Sequence, residues 1–464
     1  MTLIRYKLYN GSNRYKLKSP SFIGKGSFVF GVAPSLVEDT SAHVDVTCFD
    51  GGDGSITVSA SGGTAPYQYS IDGVNWQSSP TFGNLFVTAP VTEDTDQYGG
   101  IVTCTKTIHV KDANGFKASV DVQLKSPVEL EWLNMPNDIY AFCDPAQTYA
   151  TVIFDYIIPS TTANGYVSLP IGGLSPNNYY NYSINQDGSL PKQQISFYAV
   201  NDCNEEAADS FYITVLPLYY PNTTQDYDGN WYDAVVIGNQ VWLAQNLRTT
   251  HYADGTAIPA GGSNSSDTAP YYYDYSTSNI PLNMRGYLYN WPAVMNGASS
   301  SNTNPSGVQG IAPTGWHVPS NSEWTQLTNY VNNQSVYRYN DENNKIAKAL
   351  AYNDYWNDDD TAGNVGNDQS LNNATMFGAV AAGGVFAMFP SSKGVNASFW
   401  QSTESGTANA GTLFIQYNNN ITVDFTRGKK QGHSVRCICD LSPLDFTAWY
   451  YGQYGSYNHQ LPTE

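Results

Sequence analysis

From residue 42 to residue 439 the chain is cut every few residues by turn-forming residues, and this punctuation constrains its fold more than any other feature. Residues 44–48 run into Asp50-Gly51-Gly52-Asp53-Gly54. Residues 55–60 alternate polar and apolar and stop at Gly62-Gly63-Thr64-Ala65-Pro66. Residues 67–71 alternate again and stop at Asp72-Gly73. Gly, Pro, Asn and Asp supply the backbone conformations of tight turns, and alternation sends successive side chains to opposite faces of a strand. The architecture expected is therefore mainly β. At 464 residues the chain is too long for one ordinary core, so two to four domains are expected. Charged residues make up only 13% of it, against roughly 25% in soluble domains. Polarity comes instead from Asn, Ser, Thr and Gly. The 36 Tyr and 10 Trp are enough aromatic surface to bury cores and exclude a disordered chain.

A net charge of −19 argues against nucleic acid as a partner, because phosphate binding needs basic grooves. The charge is unevenly placed. The first 25 residues hold six Lys and Arg and no acidic residue, so the body is more acidic than the total implies. Within this arm Arg5-Tyr6-Lys7-Leu8 is repeated as Arg14-Tyr15-Lys16-Leu17, with an Asn10-Gly11 turn between them, which predicts a hairpin. An isolated hairpin is marginal in water. Arg5, Lys7, Arg14, Lys16 and Lys18 are thus the candidate anchoring residues, docking on an acidic neighbour or standing as a solvated tail. Residues 1–41 are assigned to this hairpin and a linker. No apolar h-region is visible in them and no membrane-spanning run elsewhere, so neither secretion by the usual route nor membrane insertion is expected. Six cysteines, at 48, 104, 143, 203, 437 and 439, lack zinc spacing and read as structural thiols.

Residues 42–126 contain, in order, V-T-C-F-D-G-G-D-G-S-I-T-V, G-G-T-A-P-Y-Q-Y-S-I-D-G and K-D-A-N-G. This series resembles the SprB-type repeat of gliding adhesins. The resemblance implies an immunoglobulin-like β-sandwich acting as a spacer or adhesive module, with residues 87–100 as an insert. Residues 127–217 hold five further strand-like runs and are read as a second sandwich of the same class. Cys143 and Cys203 would face each other there if both close one end.

After Pro217 and Pro221 the texture changes. Asp226-Tyr227-Asp228-Gly229-Asn230-Trp231-Tyr232 is followed by V-V-I-G-N-Q-V-W-L-A-Q-N-L-R (235–248), G-Y-L-Y-N-W (286–291), A-P-T-G-W-H-V-P (312–319), F-W-Q-S-T-E-S (399–405) and S-V-R-C (434–437). This ordered set, over about 223–440, resembles the Fibrobacter succinogenes major paralogous domain, which implies a C-type lectin-like α+β fold for residues 218–440. Ser320-Asn321-Ser322-Glu323 is a capping box that opens a helix with Trp324, Leu327 and Val331 on one face, and residues 345–351 suit a second short helix. The resemblance also implies a cysteine where this chain has Ala312, paired with Cys437. Its loss, with no signal peptide, suggests assembly in a reducing cytoplasm. The whole is expected to be two immunoglobulin-like sandwiches followed by a lectin-like domain and an aromatic tail, 441–464.

Strand-like runs 413–417 and 421–425 flank Asn418-Asn419-Asn420, a hairpin whose tip is pure Asn. Asn suits turns, and at such a tip it also offers adaptable hydrogen bonds beside the rigid area of Tyr. Tyr417, Asn418, Asn419 and Asn420 are therefore candidate ligand-binding residues. Trp400 is a further stacking candidate, although its block makes a core position the simpler reading. Asp358-Asp359-Asp360 offer hard oxygen ligands for calcium, but without a companion element a solvated acidic loop is the simpler account, and no cofactor is required. His317 is best read as a hydrogen-bonded core histidine.

The expectation is a non-enzymatic protein. No Ser elbow, zinc-helix or P-loop motif is present, and Cys437 and Cys439 are too close for the cysteine pair of formylglycine-generating enzymes. The leading expectation is a bacteriophage virion protein, a head or tail fibre or a decoration protein. It would dock on a virion structural protein by its N-terminal hairpin and bind a host surface glycan or protein by its lectin-like domain. Such fibres are often homotrimers, although no heptad repeat enforces one here. The alternative is a bacterial cell-surface adhesin or glycan-binding protein.

Overall fold

The computed structural model describes residues 32–88, 92–96, 99–133, 135–152, 158–159, 167–168, 178–185, 189–274, 279–386 and 389–454. The expected basic hairpin and its anchoring residues Arg5, Lys7, Arg14, Lys16 and Lys18 lie outside them. The protein is mainly β and multidomain. It divides into two compact units, one of Met1–Leu133 with Pro159–Tyr166 and Ala199–Ala207, the other of Asn134–Ile158, Val167–Tyr198 and Ala208–Glu464. Most of the expected second sandwich, 127–217, therefore groups with the C-terminal part instead of standing as a unit of its own. No helix among the described residues is long and apolar enough to cross a membrane.

In the first unit, Pro34–Glu38, Gly54–Gly62 and Thr81–Leu85 form one antiparallel sheet. Gly99–Lys111 pairs with Gln68–Ser70, Thr92–Asp96 and Lys117–Pro127 in the other. Alternation does the work expected of it: Leu36, Ile56, Val58, Tyr69, Phe82, Ile108, Val110 and Val122 all point into one core. The expected linker ends early, because Leu36 alternates with exposed neighbours and joins this core from residue 34 onward. The strands Gly99–Lys111 and Lys117–Pro127 turn over at Asp112-Ala113-Asn114-Gly115, where Gly115 takes φ +85°. Asp112 ties the turn: Oδ1 accepts from the amides of Asn114 and Phe116, and Oδ2 from that of Thr64 in the Gly-Gly-Thr-Ala-Pro segment. One carboxylate thus joins two of the motifs that mark this module.

A disulfide links Cys48 to Cys203 within the first unit, 155 residues apart in sequence. The expectation that Cys203 would face Cys143 is corrected: Cys143 is a free, buried thiol. Cys437 and Cys439 are also free and buried. Burial pushes the Cys439 thiol up to about 12 and Cys437 higher still, as suits inert thiols in a core.

In the second unit, Tyr219–Gln225, Trp231–Ile237, Gln240–Leu243, Ile438–Cys439 and Trp316–His317 form a five-stranded sheet in that order. From Ala234 to Ile237 the strand Trp231–Ile237 is apolar and buried on both faces because each face meets a core. Ala234 and Val236 join a cluster with Tyr220, Tyr289, Trp291, Trp316 and Trp400. Val235 and Ile237 join another with Trp242, Trp324, Phe377 and Phe399. In the second cluster the Trp242 and Trp324 rings lie 4.5 Å apart. The predicted helix is present as Asn321–Asn333, its capping box complete: Ser320 Oγ accepts from the Glu323 amide, and the Ser320 amide donates to Glu323 Oε2 at 2.8 Å. The second helix is Ala347–Leu350. Asn396–Glu404, Asn409–Gln416 and Val423–Gly428 form a three-stranded sheet. The aromatic tail begins as a helix, Pro443–Tyr454, that packs on its own unit. Phe446 is fully buried, and Thr447 Oγ1 meets the Tyr220 hydroxyl at 2.7 Å.

Candidate binding site

The Asn tip between Asn409–Gln416 and Val423–Gly428 is a pinned turn. Asn419 Oδ1 accepts from the amides of Asn420 and Ile421, the Asn419 carbonyl accepts from Val365, and the Asn420 carbonyl from Ala347. Asn418 is exposed, while Tyr417 is half-buried against the second cluster. These residues are brought together as the alternation predicts, with Asn418 the exposed one of the three asparagines. Trp400 is corrected as a stacking candidate: it is wholly buried and its Nε1 donates to the Tyr289 carbonyl, so no ligand arriving from solvent can lie on it. In the acidic loop, Asp358 and Asp360 are exposed. Asp359 Oδ1 accepts from the Thr361 amide and from Asn364 Nδ2, which hold its carboxyl below the usual range. Among the described residues no group of three or more His, Cys, Asp or Glu is placed to hold a metal ion.

Two imidazoles of this domain are held by carboxylates, His317 by two and His251 by one. His317 is nearly buried, with Nε2 2.7 Å from Glu323 Oε1 and Nδ1 2.6 Å from Asp440 Oδ1. Burial alone would lower its pKa, but the hydrogen bonds and charges of Glu323 and Asp440 outweigh that and raise it. It clamps the long helix to the end of the five-stranded sheet, the core role expected of it. His251 Nδ1 lies 2.5 Å from Asp228 Oδ1, in a polar recess where Asp228 also receives the hydroxyls of Thr249 and Thr250. Its hydrogen-bonding groups are largely occupied by one another.

A cleft of about 460 Å³ differs from these in having polar groups to spare. It opens where the Tyr252 turn, the 267–270 loop and the short helix Trp291–Met295 meet. The turn is closed by the Gly255 amide on the Tyr252 carbonyl at 3.0 Å, with Gly255 at φ +86°. Asn290, fully buried, sets the other two walls. Its Oδ1 accepts from the Ala293 amide as the helix N-cap and from Tyr271, while its Nδ2 donates to the carbonyls of Ser266 and Ala269. Trp291 is fixed by Nε1 donating to the Gln401 carbonyl at 2.9 Å. The Lys429 ammonium lies over its ring at 4.4 Å and pairs with Glu404 Oε2 at 2.5 Å. Asn296 ends the helix in the left-handed region at φ +49° and is exposed at the rim, as is Asp267. Tyr252 is 4% exposed, and its hydroxyl is buried with no hydrogen-bond partner among the described residues. Burial, reinforced by the charge of Asp254, pushes that phenol up to about 12, so it stays a donor at neutral pH.

Sequence reasoning missed this cleft. Tyr252 and Asp267 stand in a loop without periodicity, and Asn290-Trp291 was visible only as part of a block, with nothing to say which loops it would gather.

The match to known families follows the same division. Residues 235–439 match the model of the Fibrobacter succinogenes major domain, and residues 40–75 that of the SprB repeat. No curated protein matches the chain. Among solved structures, mouse cadherin-23 EC22-24 is similar at 11% identity, over 40% of this chain and 65% of that one, with a TM-score of 0.24. The Bacteroides ovatus mixed-linkage glucan utilization locus protein SGBP-B, in complex with a mixed-linkage heptasaccharide, is similar at 12% identity over 52% and 64%, with a TM-score of 0.14. This chain thus spans less than two thirds of either, and likenesses so slight bear on neither ligand nor partner. The family matches cover the punctuated strands of the first module and the two-cluster core of the last: the chain carries a SprB repeat at 40–75 and a Fibrobacter succinogenes major domain at 235–439.

Proposed function

We propose that this protein is a non-enzymatic, bacterial cell-surface adhesin, in which the SprB-repeat unit serves as a stalk module and the C-terminal domain grips a surface glycan or protein. The observation that carries this reading is the Cys48–Cys203 disulfide inside the SprB-repeat unit. Disulfides persist in oxidising surroundings and are rare in a reducing cytoplasm. The bond therefore weighs against assembly in the cytoplasm, the premise on which the virion-fibre expectation leaned, and suits a chain that matures outside the cell. The SprB repeat points the same way. A non-catalytic role agrees with free thiols whose pKa values are pushed up by burial and with imidazoles held by carboxylates in structural clamps.

The reading is tested on producing bacteria. Intact cells are treated with a protease that cannot enter them, and with an antibody against the chain. Free thiols are then blocked before and after reduction, and the peptides carrying Cys48 and Cys203 are weighed. Surface cleavage, surface labelling and an oxidised pair are expected. A chain found only inside cells with both thiols free would sink the proposal, and labelling confined to phage particles would restore the virion-fibre reading.

A further inference from the structure

We infer that Glu323, His317 and Asp440 form a proton-operated latch at the joint between the five-stranded sheet and the C-terminal helix: the protonated imidazole holds both carboxylates, and loss of its proton releases Asp440 while Glu323 stays held. This latch is independent of the adhesin reading.

The imidazole stands between two groups that can only accept. Its Nε2 lies 2.7 Å from Glu323 Oε1 and its Nδ1 2.6 Å from Asp440 Oδ1. A neutral imidazole carries one N–H and an imidazolium two, so both contacts hold together only while His317 is protonated. Burial opposes that charge, but the two carboxylates outweigh burial and raise the pKa above 6.5. Of the elements packed around the ring, the long helix presents Glu323. The strand Ile438–Cys439, which pairs with Trp316–His317, presents Asp440 just past its end and the thiols of Cys437 and Cys439, which burial keeps neutral.

The surroundings decide which contact gives way. The Glu323 side chain is 2% exposed, and its Oε2 also accepts from the Ser320 amide at 2.8 Å, so water cannot replace the imidazole there. The Asp440 side chain is 54% exposed. With His317 it borders a recess of about 310 Å³, lined also by Gln309 and Thr314, where water can solvate a turned-out carboxylate. The one remaining N–H therefore stays on Nε2, and Nδ1 loses its proton. Asp440 stands two residues ahead of Ser442, whose Oγ accepts from the Asp445 amide and whose carbonyl accepts from that of Phe446 at the start of the helix Pro443–Tyr454. Buried Phe446 and the Thr447–Tyr220 contact keep that helix docked, so the release loosens residues 440–442 alone. The latch is closed below the folded pKa of His317 and opens as pH rises through it.

The test follows the imidazole nitrogens by NMR in the full-length chain with isotopically labelled histidine, from about pH 5 to about pH 10. The His317 signals are the pair that Asp440→Asn displaces. Both nitrogens should be protonated at the acid end. Past a midpoint above 6.5, Nε2 should keep its proton and Nδ1 lose it. Hydrogen exchange at residues 440–442, corrected for the intrinsic effect of pH, should quicken about two- to tenfold across that midpoint, as expected for one hydrogen bond lost, and exchange in the helix should not. Asp440→Asn should abolish this step, because its amide can accept from a protonated Nδ1 or donate to a bare one. Glu323→Gln can donate to Nε2, so it should move the neutral ring's proton to Nδ1 and keep Asp440 held, a tautomer change that a merely structural histidine would not make. A ring neutral at the acid end or doubly protonated throughout, a wild-type proton kept on Nδ1, or a quickening that Asp440→Asn leaves in place would overturn the inference. So would a Glu323→Gln ring still protonated on Nε2. Should Glu323→Gln fail to fold, the wild-type tautomer and the exposed Asp440→Asn decide.

Discussion

In the SprB-repeat unit the irregular chain is tied down by a carboxylate, whereas in the C-terminal domain it is tied down by buried cations. Asp112 accepts three backbone amides and closes one tight turn onto another segment. Lys348 and Arg436 do the opposite. Lys348 Nζ donates to the carbonyls of Asn364, Asn367 and Asp368, and Arg436 donates to those of Leu243, Phe377 and Gly378 and to Asn246 Oδ1. The difference follows from loop length. A tight turn leaves a few amides pointing inward, which one acceptor satisfies, while a long loop packed on a core leaves carbonyls inside that need a donor with several hydrogens. The C-terminal domain can therefore carry long loops without regular structure, and a cleft among them. The N-terminal unit keeps its turns short and adds a covalent link instead.

If buried cations hold the C-terminal domain, removing one should have the largest effect. Arg436→Leu leaves several buried acceptors orphaned and should cost on the order of 3–5 kcal/mol in urea unfolding followed by tryptophan fluorescence. A loss below about 1 kcal/mol would mean that the loops are held by packing alone. Next in size is the covalent link. Reduction of Cys48–Cys203, or Cys48→Ser, should destabilise the N-terminal unit by about 2–4 kcal/mol, with hydrogen exchange quickening in residues 34–127 and not in the five-stranded sheet. Equal quickening in both would erase the contrast.

The His317 clamp gives a smaller effect with a definite sign. Its folded pKa is raised above the ordinary 6.5, so the stability it lends is fully present below that value and is lost as pH rises through the folded pKa. Melting temperature should accordingly fall over that window. Glu323→Ala should flatten the dependence and cost about 1–2 kcal/mol through the lost capping box and imidazole contact. A wild-type profile that rises with pH there would contradict the clamp. The smallest effect separates two neighbours at the Asn tip. Asn419→Ala should cost about 1 kcal/mol, because its side chain accepts two amides, and exposed Asn418→Ala less than about 0.5. Equal losses would show that the tip is not pinned as described.

Much of the fold was legible locally. Alternation over residues 55–60 put Ile56 and Val58 on the one face that the core covers, Ser320 and Glu323 marked the helix start, and runs on either side of Asn418-Asn419-Asn420 marked a hairpin. Little of the candidate site was. Asn-rich tips advertise themselves, yet this one is spent largely on its own backbone. Tyr252, Asp267 and Trp291 carry no periodicity that joins them, and Asn290 draws the 267–270 loop to the helix that Trp291 opens through three hydrogen bonds to residues 266–271 and a fourth, local one to Ala293. Trp400 sits in a strand with cores on both faces, where alternation cannot tell inside from outside.

By itself the amino-acid order determined where strands, turns and the capped helix fall, and that aromatic cores rather than charge would hold them, because backbone periodicity and turn chemistry act over a few residues. Tertiary structure alone decided that Cys203 pairs with Cys48 and not Cys143, that residues 134–158 join the C-terminal unit, and that one tyrosine hydroxyl is left unpaired beside a cleft. Those outcomes depend on which distant segments close on one another: Cys143 lies roughly 60 residues from Cys203 and Cys48 lies 155, yet the longer loop costs only about 1 kcal/mol more to close, too little to choose between the rival pairings.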